Sequence, residues 1–414
     1  MAAFSPEARS VSSATPWLFI VGIGEDGRAG LSPAAAAALD RAGLVVGGRR
    51  HLELAAPLSA ETLAWPSPLA EAYPAILARR GQPTCVLATG DPFHYGVGAE
   101  LARLVPAGEI AAYPQASAFS LAAARLGWPL AETACLTLHG RALERVIPHL
   151  QPGARLLVLS WDGATPDKLA ALMTARGFPR SRLTVLEAMG GPRERRRSAL
   201  AAEFSEGEID PLNTIAVEVV AEPDARVIPL SPGLDDAWFE TDGQLTKAEI
   251  RAVTLAALRP RAGQLLWDVG AGSGSISIEW CLLHPASRAV AVEAREERAA
   301  RIRRNALDLG VPDLAVVVGR APEALAALPA PDAAFLGGGV SDPALVAAVL
   351  EALPVGGRLV ANAVTLESEA LLLRLHSERG GTLRRLSVAR AEPVGHLTGW
   401  RPAMPVTQWA LTKP

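Results

Sequence analysis

The sequence is poor in cysteine: Cys85, Cys135 and Cys281 are the only three among 414 residues. An odd, widely spaced set excludes a disulfide framework and a zinc-ligand cluster, and fits small buried side chains in a reducing compartment. The seven histidines are equally scattered, with no H-E-x-x-H and no C-x-x-C, so no metal is expected. Neither sign of charge is in excess. Forty Lys and Arg stand against 43 Asp and Glu, net −3, with a pI of about 6.2, which provides no general electrostatic reason for a nucleic-acid partner. No uninterrupted apolar run is long enough to span a bilayer, and the opening MAAFSPEARSVSSATP has no signal-peptide core. A cytoplasmic protein without a membrane partner is expected. There is no internal repeat.

What remains is globular. Half of the residues are hydrophobic and a fifth charged, enough for substantial cores, and the length suggests two or three domains. After a loose arm over 1–15, strand-like apolar runs alternate with helical patterns. WLFIVGI (17–23) reads as a strand, and Ser32-Pro33 as the N-cap and first position of a helix. LVVGG, TCVLATG, ARLLVLSWDG, RLTVLEAM and NTIAVEVV follow as strands of an α/β domain over 16–230. The Pro-, Gly- and acid-rich stretch 229–243 breaks this rhythm, so 231–242 is expected to be a linker. A second α/β domain, 243–414, opens with the helix TKAEIRAVTLAALRP and the strand LLWDV. Its last two strand-like runs, TLRRLSVARAEPVG and MPVTQWALTK, lack a helix-length crossover and should be antiparallel neighbours.

LWDVGAGSGSISIEW (266–280) runs from strand into a glycine turn and helix. Its glycines, Gly270, Gly272 and Gly274, form G-x-G-x-G rather than the dinucleotide spacing G-x-G-x-x-G. Asp268 would sit poorly beside a pyrophosphate but would suit a ligand carrying an ammonium and a sulfonium, as S-adenosylmethionine does. Glu293 ends the next strand, 19 positions after Gly274, where a carboxylate can accept from ribose hydroxyls. GRAPE (319–323) ends the third strand, where an adenine could lie against Ala321. An ordinary tight turn and a nicotinamide site are the competing readings.

The ordered set GQLTKAEIRA, LWDVGAGSGSISIEW, VEA, GRAPEAL, PDAAFLGGG and ANAVTLE resembles the precorrin decarboxylating methyltransferase domain, a Rossmann-like class I methyltransferase fold with an antiparallel last strand. VGIGEDG, TGDPFHYG and PQASAFSLAAARLG resemble the two-lobed tetrapyrrole methylase (class III) family, although Gln115 stands where glycine is common. LHGR and EAMGGPRERR resemble its precorrin C-5 methylating branch. Together the halves are similar to the bifunctional decarboxylating C-5,15 precorrin methyltransferases. The resemblance implies one S-adenosylmethionine site per domain, a precorrin tetrapyrrole substrate, C-5 methylation in the first domain, C-15 methylation with decarboxylation in the second, and a homo-oligomer, dimer or higher. Carried over by position, Gly22, Gly24, Gly90, Asp91 and Ser117 would hold the first cofactor. Thr246, Asp268, Gly270, Gly272, Gly274, Glu293, Arg320, Ala321, Gly337 and Gly338 would hold the second.

Asp91, Tyr95, Lys247, Arg251 and Asn362 are the candidate catalytic residues, and His139, Arg141, Arg193, Arg195 and Gly339 the candidate substrate anchors. Each has a plainer alternative: Asp91 as loop former, Tyr95 as packing, Lys247 and Arg251 as a solvated helix face, Asn362 as a turn residue, His139 and Arg141 as structural, and Arg193–Arg197 as a solvated charge run. An RNA methyltransferase and a non-catalytic S-adenosylmethionine-binding scaffold are the other function classes.

Overall fold

The computed structural model describes residues 15–205 and 207–414; apart from Thr15, the expected arm lies outside the described residues. The chain forms two compact units, Met1–Arg141 with Pro152–Arg226, and Ala142–Gln151 with Val227–Pro414.

The first unit holds two sheets. Parallel strands β1 (Leu18–Ile23), β2 (Leu44–Gly47), β3 (Glu61–Ala64), β4 (Thr84–Thr89) and β5 (Ile110–Tyr113) stand in the order β3-β2-β4-β1-β5. The β1 strand, LFIVGI, is buried throughout, as a parallel strand covered on both faces must be. The helix Pro33–Arg41 starts where the sequence predicts: Ser32 Oγ accepts from the Ala35 N–H at 3.2 Å. The second sheet, β6 (Thr133–Thr137), β7 (Arg155–Leu159), β8 (Arg182–Glu187), β9 (Arg195–Leu200) and β10 (Asn213–Glu218), runs β6-β7-β10-β8-β9 and is antiparallel except for β6–β7. The β9 strand is a correction. The run read as substrate anchors or a solvated face continues into this edge strand, Arg195–Leu200, and charges of that kind disfavour further pairing at an edge.

The second unit contains β11 (Leu265–Val269), β12 (Arg288–Glu293), β13 (Ala315–Val318), β14 (Ala333–Leu336), β15 (Arg358–Ala363), β16 (Thr382–Leu386), β17 (Ala389–Val394), β18 (Leu397–Pro402) and β19 (Val406–Thr412). All but β17 and β18 form one sheet, β13-β12-β11-β14-β15-β19-β16. Its first five strands are parallel, and β19 runs antiparallel to both neighbours. The two terminal runs do pair, as read, but only through residues 382–386. That stretch offers Leu383 to the core, whereas 389–394 turns away into a separate hairpin with β18. Among the described residues no helix is long and apolar enough to cross a membrane.

Candidate functional site

The first unit carries a cavity of about 350 Å³ lined by Asp91, His94, Gln115, Ser117, Phe119 and Ser120, with Thr133 and Cys135 from β6. Close backbone approach builds it. A Cβ on Gly22 would collide with the Gly90 carbonyl, and one on Gly90 would stand 2.8 Å from Ser117 Cα. Two strand ends and a helix start therefore meet main chain to main chain. The Gln115 N–H donates to Gly90 O at 3.0 Å and its side-chain amide donates to Gly30 O, so the residue that replaces the usual glycine braces the first loop instead. Gly24 lies in that loop, its carbonyl accepting from the Gly27 N–H. Asp91 Oδ1 accepts from the Phe93 N–H at 2.9 Å, a local turn that leaves its other oxygen for a ligand.

Tyr95 has φ +60 and is half exposed, stacks on His94, and donates its hydroxyl to Cys135 O at 3.2 Å. Arg141 lies over the Tyr95 ring at 5.8 Å, so these two candidates are neighbours. The His139 N–H donates to the Thr137 hydroxyl at 3.2 Å. The arginine candidates are partly engaged. Arg195 forms a two-pronged pair with the fully buried Glu187, which Arg197 also binds. That arrangement makes Arg195 a support for the sheet edge rather than a free anchor. Arg193 pairs with Asp210 and, at 3.5 Å, with Glu25.

The second unit has a larger cavity, about 750 Å³, at the carboxyl ends of its parallel strands, where open α/β sheets bind ligands. Its wall includes Val269 ending β11 with Gly270–Gly272 after it, Glu293 ending β12, Arg320 and Ala321 after β13, Gly337–Gly339 after β14 and Asn362 in β15, with Thr246 and Lys247 on the approach to the first helix. The two glycine loops touch: a Cβ on Gly270 would stand 2.9 Å from Gly338 Cα. Glu293 Oε2 accepts from the Gly272 N–H and Oε1 from the Arg295 N–H, both at 3.0 Å. The carboxylate is thus fixed with lone pairs to spare, and suits a diol.

Three expectations change here. Asp268 alternates inward along β11 and lies behind the wall, 1 % exposed. Its Oδ2 accepts from the Ser277 N–H (3.1 Å) and hydroxyl (2.6 Å), and Oδ1 is buried without a partner. It shapes the glycine loop from beneath and does not face a ligand cation. Gly274 is also off the wall; a Cβ there would stand 2.6 Å from Ile302 Cγ2, so its role is helix packing. Arg251 is 0 % exposed and is on the wall of neither cavity. Its guanidinium binds Glu279 (2.7 Å), Asp236 (2.7 Å) and the carbonyls of Thr246 and Leu234. Glu279 in turn accepts from the N–H groups of Gly233 and Leu234. The segment expected as a linker is therefore fastened to the second unit by a buried ion pair.

Burial pushes the Asp268 carboxyl up to about 6, with the charge of Glu293 adding to it against the Ser277 hydrogen bonds. A carboxyl raised on folding stabilises the fold fully below its unfolded value of about 3.8, and that contribution is lost as pH rises through about 6. Asp268→Asn keeps the Ser277 contact and carries no charge. Without added cofactor, it is expected to be more stable than the parent at pH 7.5 by up to about 3 kcal/mol relative to their difference at pH 3.5. Urea midpoints at the two pH values check this; a pH-independent difference would refute it.

Several residues with clear roles were not singled out from the sequence. Asn305, 3 % exposed, donates to Glu240 O and Ser273 O and accepts from the Glu240 N–H, lacing the lead-in segment to the glycine loop. An asparagine beside the apolar stripe Ala299, Ile302 and Ala306 of a charged helix was the available signal. Thr254 and Gln408 hold the Asn362 amide at 3.0 and 3.1 Å; Gln408 is the cross-strand partner of Asn362, a relation only the register reveals.

Residues 18–205 match the family model for tetrapyrrole (corrin/porphyrin) methylases, and residues 237–413 that for the precorrin methyltransferase domain. The chain is 56 % identical over 400 residues to a precorrin-6Y C(5,15)-methyltransferase (decarboxylating) of a Sinorhizobium species, covering 96 % of this chain and 97 % of that one. It is 44 % identical over 402 residues to the protein of that name from Mycobacterium tuberculosis (strain CDC 1551 / Oshkosh), covering 96 % and 100 %. A probable cobalt-precorrin-6B C(15)-methyltransferase (decarboxylating) of Pyrobaculum calidifontis is 40 % identical over 190 residues, 44 % of this chain and 97 % of that one. The first unit accordingly has the two-lobed tetrapyrrole methylase fold and the second a Rossmann-like methyltransferase fold with an antiparallel last strand. With both family models matched in order along one chain, and full-length relatives covered almost end to end, the chain belongs to the decarboxylating precorrin-6Y C(5,15)-methyltransferase family.

Proposed function

We propose that this chain methylates precorrin-6B at C-5 and C-15 and removes carbon dioxide from the C-12 acetate, giving precorrin-8 in cobalamin biosynthesis. The observation that carries the reading is the pair of cavities, one per unit: the second walled by the glycine loops after β11 and β14, the first by residues next to the close Gly22–Gly90 backbone contact. Each unit would take one S-adenosylmethionine, which when bound supplies an electrophilic methyl on a sulfonium. In the second unit Thr246, Gly270, Gly272, Glu293, Arg320, Ala321, Gly337 and Gly338 would hold it, with Glu293 accepting from the ribose hydroxyls. In the first unit Gly22, Gly24, Gly90, Asp91 and Ser117 would do so. A relative named only for C(15) and decarboxylation matches less than half of this chain, which supports C-5 chemistry in one unit and C-15 chemistry with decarboxylation in the other.

The acceptor carbon of a partly reduced tetrapyrrole is electron-rich, so no enzyme nucleophile is required. The protein's task is alignment to about 3–3.5 Å and exclusion of water. Lys247, 51 % exposed beside the second cavity, and Asn362, held from behind by Thr254 and Gln408, are the groups assigned to the substrate there. Tyr95, His139 and Arg141 take that part in the first unit, and Gly339 leaves room for the ring. As the acetate loses carbon dioxide, its bonding pair passes into the ring conjugation and a proton is taken up at the side-chain carbon. A homo-oligomer belongs to the proposal on the family resemblance.

Incubation of the full chain with precorrin-6B and S-adenosylmethionine should give a product heavier by two methyl gains and lighter by one carbon dioxide. An unchanged mass beside an active control would refute the reading.

A further inference from the structure

The loops after β1, β2 and β4, neighbours in the sheet order β2-β4-β1, bring together four side chains. Arg50 donates to Glu25 and, at 3.0 Å, to the Thr89 hydroxyl. His51 Nδ1 accepts from the Gly48 N–H, and its Nε2 lies 2.8 Å from Thr89 Oγ1 and 3.3 Å from the Arg50 guanidinium. Burial, with help from Arg50, pushes His51 down to about 4, so this ring is neutral near pH 7. Thr89 Oγ1 accepts from Arg50 and is paired with the His51 ring. From the turn between β8 and β9, Arg193 reaches the same Glu25 at 3.5 Å.

Glu25 is only 9 % exposed on its side chain, while Arg50 and Arg193 are 33 % and 59 % exposed. Two guanidiniums therefore converge on one internal carboxylate at the carboxyl end of the first sheet. Thr89 is two residues from Asp91, on the cavity wall. Arg193 keeps Asp210 as a second partner, so it can release Glu25 without becoming an unpaired charge.

We propose that Arg50 and Arg193 form a subsite for a carboxylate side chain of the tetrapyrrole, and that Glu25 occupies it as an internal stand-in when no substrate is bound. The inference rests on the first unit being the C-5 methylating one. Arginine suits the task because its planar fork matches a carboxylate. Displacement of one carboxylate by another keeps the charge balance, so substrate binding would cost little desolvation beyond that already incurred.

The stand-in makes a prediction that a purely structural ion pair would not. Initial rates of C-5 methylation by the full chain, followed by mass spectrometry against precorrin-6B concentration, should show KM raised about tenfold in Arg50→Gln and Arg193→Gln, with kcat nearly unchanged. Glu25→Gln should lower KM, because the competing internal anion is gone. C-15 methylation and carbon dioxide loss should be unaffected in all three. An unchanged KM in Arg193→Gln, or a raised KM in a folded Glu25→Gln, would overturn the subsite. Should Glu25→Gln fail to fold by thermal melting, the exposed Arg193 variant decides alone. A parent chain that gains no C-5 methyl would overturn the functional reading and this inference with it; normal parent activity beside unresponsive variants would overturn this inference alone.

Discussion

Gly272→Arg is expected to weaken cofactor binding in the second unit by at least about 100-fold, about 2.7 kcal/mol, while C-5 methylation continues. Gly272 has φ +61, and a Cβ there would stand 3.2 Å from Gln244 O. A non-glycine residue incurs the left-handed backbone penalty of about 1–2 kcal/mol, and an arginine side chain would also project into the cavity that Gly272 lines. The new cation would stand near Glu293, whose Oε2 accepts from the Gly272 N–H, and would claim the carboxylate assigned to the ribose. Calorimetric titration of the full chain with S-adenosylhomocysteine should show two binding events in the parent and one in the variant. Two undiminished events would place the cofactor elsewhere. The first cavity is built from a different glycine contact, Gly22 against Gly90, so it has no reason to respond.

Arg251→Met should destabilise the second unit by about 3–5 kcal/mol, the usual consequence of leaving one member of a buried ion pair behind. Glu279, 3 % exposed, would keep only the N–H groups of Gly233 and Leu234. The carbonyls of Leu234 and Thr246 would lose their donor, and Phe239 the guanidinium that lies 4.8 Å from its ring. Because Thr246 is on the cavity wall, loosening should reach the ligand as well as the fold. Urea unfolding should show a lowered midpoint for the second unit. The double variant Arg251→Met with Glu279→Leu should recover part of the loss, since it removes the stranded charge. A single-variant loss under about 1 kcal/mol, the ordinary size for an exposed pair, would contradict the buried geometry.

The buried central strands were legible because parallel strands covered on both faces read as apolar runs, LFIVGI and LLWDV above all; the exposed β3 and β9 and the β17–β18 hairpin were not. Capping was legible at Ser32, where side-chain chemistry acts within four residues. The charge run at 193–197 was misleading. It reads as substrate anchors, with a solvated face as the plainer alternative, yet Arg195 and Arg197 alternate along an edge strand onto Glu187, and only pairing with β8 makes that visible. Lys247 and Arg251 show the same limit. Four residues apart on one helix face, they looked equivalent, but one is half exposed and the other sealed.

The sequence by itself determined the alternation of strands and helices, the glycine turns, the position of Glu293 and the antiparallel close of the second sheet. Each depends on local backbone preference or on an apolar period. The tertiary structure alone decided which charges are free. Whether Asp268 faces a ligand or the underside of its loop, whether Arg251 meets substrate or Glu279, and whether Glu25 stands between two arginines depend on residues 9, 28, 25 and 168 positions away. Electrostatic and hydrogen-bond partners act over a few ångströms in space, and a linear spacing does not encode that distance until the sheets have set their register.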